Sequence, residues 1–192
     1  MADDHDSPIA SGPVQQILAA ARFAAEKHAS QRRKGVAGEP YVNHLIEVAQ
    51  LIASSSEALD SHLVMAGLLH DTIEDCGVTY QELERQFGCD VANLVAEVTD
   101  DKSLPKATRK ALQVENAPKK SVRAQVIKLA DKISNLRSML DSPPADWDLE
   151  RRRQYFEWAH QVVNGLRQPN PMLKAEFDEI YSKYEERLQA RS

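Results

Sequence analysis

Residues 64–75 read VMAGLLHDTIED, and the fold turns on how this stretch is placed. An apolar run from Val64 to Leu69 leads straight into an imidazole and a carboxylate, His70 and Asp71. A buried helix end avoids such groups unless they are paired or bound to a cation. Residues three and four apart share a helix face, which sets His70 beside Glu74, and Asp71 beside Glu74 and Asp75. Three carboxylates next to one imidazole repel one another, and a divalent metal is the simplest relief. For an isolated His-Asp pair the ordinary alternative is a polar helix terminus with a satisfied histidine.

Further candidate ligands lie outside this stretch. His44 follows EPYVN and heads an apolar pattern of helical period: Leu45, Val48, Ala49, Leu51 and Ile52. Asp131 sits inside VIKLADKISNL, with Asn135 four residues on and therefore on its face. Each alone has a plain reading, His44 as a core histidine and Asp131 as an acid paired with Lys128 or Lys132. Together, two imidazoles and two carboxylates (His44, His70, Asp71 and Asp131) form a mixed N/O set that suits Mn, Fe, Zn, Co or Ni better than calcium.

The pattern is helical elsewhere too. Ser11-Gly12-Pro13 opens a first helix. A loop at 30–40, basic and then Gly/Pro-containing, precedes helices at about 41–54 and 60–72. Thr79 and Glu82 have capping-box spacing, with Gly88 to close that helix. Further helices fit 90–98, 106–116, 121–140, 146–167 and 170–189, with a short β-hairpin near 100–105 as the one exception. The expected fold class is all-α, a single domain over 13–192 behind a flexible tail at 1–12, in which His5 is decoration.

Composition sets limits on function. With 192 residues and 42% hydrophobic content the chain can bury one core. A net charge of −5 gives no long-range pull toward nucleic acid or an anionic membrane. Cys76 and Cys89 lack CxxC spacing, so neither a disulfide framework nor a thiolate metal site is indicated. With no apolar stretch of spanning length and a polar, acidic N-terminus, the expected compartment is a reducing cytoplasm.

The order His44, His70-Asp71, Asp131 resembles the HD-domain metal-dependent phosphohydrolases. The segments at 23–35, 39–49, 68–88, 98–137 and 152–166 are similar to the hydrolase domain of the Rel/SpoT alarmone enzymes, and most of all to the small stand-alone hydrolases of metazoan SpoT type. The resemblance covers about residues 14–167. It implies an HD-type helical bundle, one Mn²⁺ per site held by His44, His70, Asp71 and Asp131, and removal of the 3′-pyrophosphate of guanosine tetra- or pentaphosphate, (p)ppGpp. Mn²⁺ also accommodates four protein ligands with positions left for water and substrate. Glu74 and Asp75 are then the catalytic acids that orient or deprotonate water. For substrate, the resemblance implies the basic loop Arg32-Arg33-Lys34, with Arg32 against the guanine and Lys34 against phosphate and the division among the three open. Asn135 faces ribose or phosphate. Lys102 and Arg109 are candidates for added positive charge and equally fit a solvated surface; Tyr155 fits either the pocket or the core. Trp147 and Trp158 read first as packing residues.

Leu45 and Cys76 stand where the family carries proline and threonine, and neither change removes a ligand. The bifunctional relatives carry further domains after the hydrolase, so this chain reads as a dedicated degrader. Two other readings stay open: NADPH 2′-phosphatase chemistry at the same metal site, and an alarmone-binding module without turnover.

Overall fold

The computed structural model describes residues 12–189; apart from Gly12, the tail expected at 1–12 lies outside them, as does His5. The helices run α1 (Pro13–Lys27), α2 (Val42–Ser54), α3 (Ser61–Leu69), α4 (Thr72–Cys76), α5 (Tyr80–Phe87), α6 (Cys89–Val98), α7 (Lys106–Asn116), α8 (Val122–Asp141), α9 (Leu149–Asn164) and α10 (Pro171–Gln189), with a 3₁₀ turn at Ala117–Lys119. No described helix is long and apolar enough to cross a membrane.

The run that opened the sequence reading becomes the central helix. Every residue of α3 from Leu63 to Leu69 is buried, as expected of a helix that is apolar all round. α1, α2 and α6 pack on it, and α8 lies across α2 and α6 with α9 and α10 on its far side. Leu45, Leu69, Ile127, Leu129, Phe156 and Phe177 are among the largest side chains fully enclosed. Burying one such residue contributes about 1.5–3 kcal/mol.

Helix boundaries follow capping chemistry. The side chains of Asp60, Thr79, Ser121 and Asp148 accept from the backbone N–H three residues on, starting α3, α5, α8 and α9. At Thr79 the N-cap half of the expected capping box forms, while the Glu82 carboxylate pairs with Lys27 (2.9 Å). α9 begins at Leu149 rather than 146 because Asp148 fixes its start.

Two expectations need correction. The hairpin near 100–105 does not form. Asp101 Oδ1 accepts from the Ser103 N–H (2.9 Å) and hydroxyl (2.6 Å), and Leu104 N–H donates to Asp101 O (3.1 Å). Such an Asx turn ending at Pro105 leaves no run of residues to pair as strands. The described residues instead hold one isolated antiparallel bridge, Arg32–Pro40, at the neck of the basic loop. The second correction concerns the helix expected at 60–72, which breaks at His70-Asp71. Thr72 Oγ1 donates to Leu69 O (2.7 Å), and α4 starts afresh at Thr72. The break re-aims both side chains toward α2 and α8.

Candidate metal centre and active site

Three separated parts of the chain meet at one point. α2 supplies His44, the α3–α4 junction supplies His70 and Asp71, and α8 supplies Asp131. One ligand atom each from His44, His70 and Asp131 lies within 4.8 Å of the others. Asp71 adjoins them, its Oδ2 3.0 Å from His70 Nε2 and 3.7 Å from His44 Nε2, while also accepting from the Tyr41 hydroxyl at 2.6 Å.

The far side of each imidazole decides which nitrogen is free. Ser134 Oγ donates to Glu47 Oε2 (2.5 Å), so toward His44 Nδ1, 2.8 Å away, it must accept. His70 Nδ1 faces the Gly67 carbonyl at 2.8 Å, which can only accept. Both rings therefore carry a proton on Nδ1 and turn Nε2 inward. Both Nε2 atoms are buried without a hydrogen-bond partner. Two orphaned nitrogens converging on carboxylates are a donor set that fits a divalent cation, with the remote hydrogen bonds orienting the rings.

The electrostatics agree. Burial alone would lower His70, but Asp71 and Asp131 outweigh it and raise the imidazole to about 10. Burial wins at His44, which is lowered. Despite burial, Asp71 is held below the usual carboxylate range chiefly by His70, and Asp131 chiefly by Lys132, 3.0 Å away. The centre thus favours added positive charge.

Above it opens a cavity of about 420 Å³. One wall carries the α4 acids. Glu74 accepts from Arg109 Nη1 (3.2 Å) and from the Asp100 N–H (3.3 Å), and Asp75 accepts from Gln31 Nε2 (2.8 Å) and pairs with Lys102. Burial, then Asp100 and Asp71, push the Glu74 carboxyl up. The other wall is cationic and aromatic. Lys110 Nζ lies 4.5 Å from the Trp158 ring centroid and 5.2 Å from that of Tyr155, and Lys106 Nζ lies 5.7 Å from Trp147.

All the expected substrate residues (Arg32, Arg33, Lys34, Lys102, Arg109, Asn135, Tyr155) border this cavity. Their local bonds divide them. Arg33 is tied to α8, donating to the Ser134 hydroxyl and carbonyl and to Asn135 Oδ1 (3.2–3.3 Å). Asn135 in turn holds Asp131 Oδ1 at 2.6 Å. Arg32 and Lys34 are exposed at the mouth, and Arg32 donates only to the nearby carbonyls of Ala29 and Gln31. The loop between is seated on the end of α8: Ala37 N–H donates to Ser142 Oγ (2.9 Å), and a Cβ on Gly35 would collide with the Ser142 carbonyl oxygen.

Sequence reasoning missed Lys106, Lys110, Lys128, Trp147 and Trp158 as cavity residues. A signal existed for some of them. Lys106, Arg109 and Lys110 repeat at i, i+3 and i+4 on α7, and Lys128, Asp131, Lys132 and Asn135 do so on α8. Nothing in the sequence distinguished the tryptophans from core residues.

Residues 20–157 match the family model of the HD domain. This chain is an HD-domain protein. The HD-domain chain is 48% identical over 171 residues to the guanosine-3′,5′-bis(diphosphate) 3′-pyrophosphohydrolase of Xenopus tropicalis, covering 89% of this chain and 96% of that protein. To the Homo sapiens enzyme of the same name it is 48% identical over 168 residues, with 88% and 94% covered. A solved structure of a metazoan orthologue of SpoT, described as hydrolysing ppGpp and acting in starvation responses, aligns with a TM-score of 0.85. That pair is 46% identical over 91% of this chain and 98% of the other.

Proposed function

We propose that this protein hydrolyses (p)ppGpp at its 3′-pyrophosphate, giving GDP or GTP and pyrophosphate. The observation that carries the reading is the pair of buried, unpartnered Nε2 atoms of His44 and His70 beside Asp131, where His70 and Asp131 line a cavity walled by acids, cations and aromatic rings. The names of the X. tropicalis and human relatives support the choice of substrate.

His44, His70, Asp71 and Asp131 would hold a divalent cation, and the mixed N/O donors with room for further ligands favour Mn²⁺. Such an ion lowers the pKa of water and polarises a phosphoryl oxygen. The remaining work belongs to the chain. Water adds to the phosphorus next to the ribose 3′-oxygen, and that P–O bond breaks. Glu74 and Asp75 face the cavity to take the water proton and return one to the departing oxygen. Lys34 and the α7 lysines balance the phosphate charge, Arg32 packs on the guanine, and Tyr155 with Asn135 borders the sugar. Arg33 and Asn135 also brace Asp131. Two free cysteines fit a reducing cytoplasm.

The test is product analysis with Mn²⁺-loaded protein and guanosine tetraphosphate. GDP and pyrophosphate, abolished by chelation, are the expected result. Binding without turnover would make the protein an alarmone-binding module. Turnover of NADPH alone, in a parallel assay, would move the substrate assignment.

A further inference from the structure

His28 and Gln31 lie outside the four ligands, the two α4 acids and the basic triplet, yet they form a directed chain of hydrogen bonds ending on Asp75. Gln31 Nε2 is 2.8 Å from Asp75 Oδ2. A carboxylate only accepts, so the amide must turn its NH₂ toward Asp75 and its oxygen away. That oxygen, Oε1, stands 2.6 Å from His28 Nδ1. Facing an acceptor, His28 must carry a proton on Nδ1. The His28 ring is 2% exposed, so water does not take the place of Gln31 at its Nδ1.

The ring is fixed on its other sides as well. It stacks on Tyr41 (centroids 5.1 Å apart, planes 21°), whose hydroxyl donates to Asp71 Oδ2. The Cys76 thiol packs 3.4–3.5 Å from the two ring nitrogens. One imidazole thus backs two carboxylates of the site, Asp75 through Gln31 and Asp71 through Tyr41. Asp75 also pairs with Lys102, whose side chain is half-exposed.

We infer that His28, in its Nδ1–H form, and Gln31 are positioning residues that hold the Asp75 carboxylate oriented for proton transfer during hydrolysis. The inference rests on the proposed hydrolase activity, and its test separates the two. The His28 tautomer is read directly from two-bond ¹H–¹⁵N correlations of ¹⁵N-histidine-labelled protein, with the signal assigned by its loss in His28→Asn. A proton on Nδ1 is expected; an unprotonated Nδ1 overturns the inference whatever the activity.

In kinetics, Gln31→Leu should lower kcat by roughly 10–100-fold, as loss of an outer partner does, with KM and bound metal unchanged. His28→Asn, whose amide nitrogen stands near the place of Nδ1, should retain wild-type kcat, whereas His28→Phe should fall with Gln31→Leu. The double variant should lose no more than either single, since both act through one path. Wild-type kcat in Gln31→Leu overturns the positioning role. A wild-type protein that turns over no alarmone overturns the hydrolase reading instead. Should His28→Phe fail to fold, Gln31→Leu and the tautomer still decide.

Discussion

The imidazoles of His44 and His70 are oriented by groups that do not line the cavity. Ser134, fixed by Glu47, leaves His44 its inward lone pair, and the Gly67 carbonyl does the same for His70. The α4 acids differ from them in being reachable by substrate. Replacing Glu74 by Gln should keep metal and lower kcat by roughly 10²–10⁴-fold, the range for a general base. Measured metal content with steady-state rates checks this, and an unchanged kcat removes Glu74 from the reaction. The sequence made these acids legible because four ionisable groups crowd the end of an apolar run. It did not reveal their counter-ions: Arg109 reaches Glu74 across 35 positions and Lys102 reaches Asp75 across 27, distances that no helical spacing connects.

At the level of elements, α4 is a single short helix whose exit depends on Gly77, at φ 69°. Open space surrounds the position a Cβ would take there, so Gly77→Ala acts through the backbone alone. It should cost about 1–2 kcal/mol, the penalty for an L-residue in the left-handed region, and Gly77→Asn should cost less; urea denaturation midpoints measure both. α7 makes a different prediction. Burial, then Lys106, Lys132 and Arg151, lower Lys110 to about 8. Below that pH the folded protein carries a disfavoured charge that the unfolded chain tolerates. Between about 8 and the ordinary lysine value near 10.4 the unfolded state binds more protons, so this group's contribution to stability improves as pH rises. Lys110→Met should therefore raise the melting temperature more at pH 7 than at pH 10, and an equal shift at both would refute the assignment. Most helices were readable from caps and period. The break at His70-Asp71 was not, because Thr72 diverts the Leu69 carbonyl through a hydroxyl that ordinary helical patterning ignores. The Asx turn at Asp101 was mistaken for a hairpin for a similar reason, side-chain bonding in place of strand pairing.

For the molecule as a whole, the proposed ligands on α2, at the α3–α4 junction and on α8 would let a bound cation tie together three segments far apart in the chain. Mn²⁺ at one hundred times its dissociation constant should add about 2.7 kcal/mol, or roughly 5–10 °C of melting temperature for a chain of this size. Differential scanning calorimetry with and without metal checks the shift, and Asp131→Asn should abolish it. The α-helical class was legible in the apolar period and the caps, and the HD arrangement in the order His44, His70-Asp71, Asp131. The cavity's cationic and aromatic wall depends on how α9 packs against both α7 and α8, which no local pattern encodes. One close approach bears on what the gene can tolerate. Gly35 lies against the Ser142 carbonyl, where any side chain would lift the basic loop off α8. A library carrying all twenty amino acids at codon 35, selected for alarmone breakdown, should return glycine alone, while neighbouring Val36, exposed at the loop surface, drifts freely.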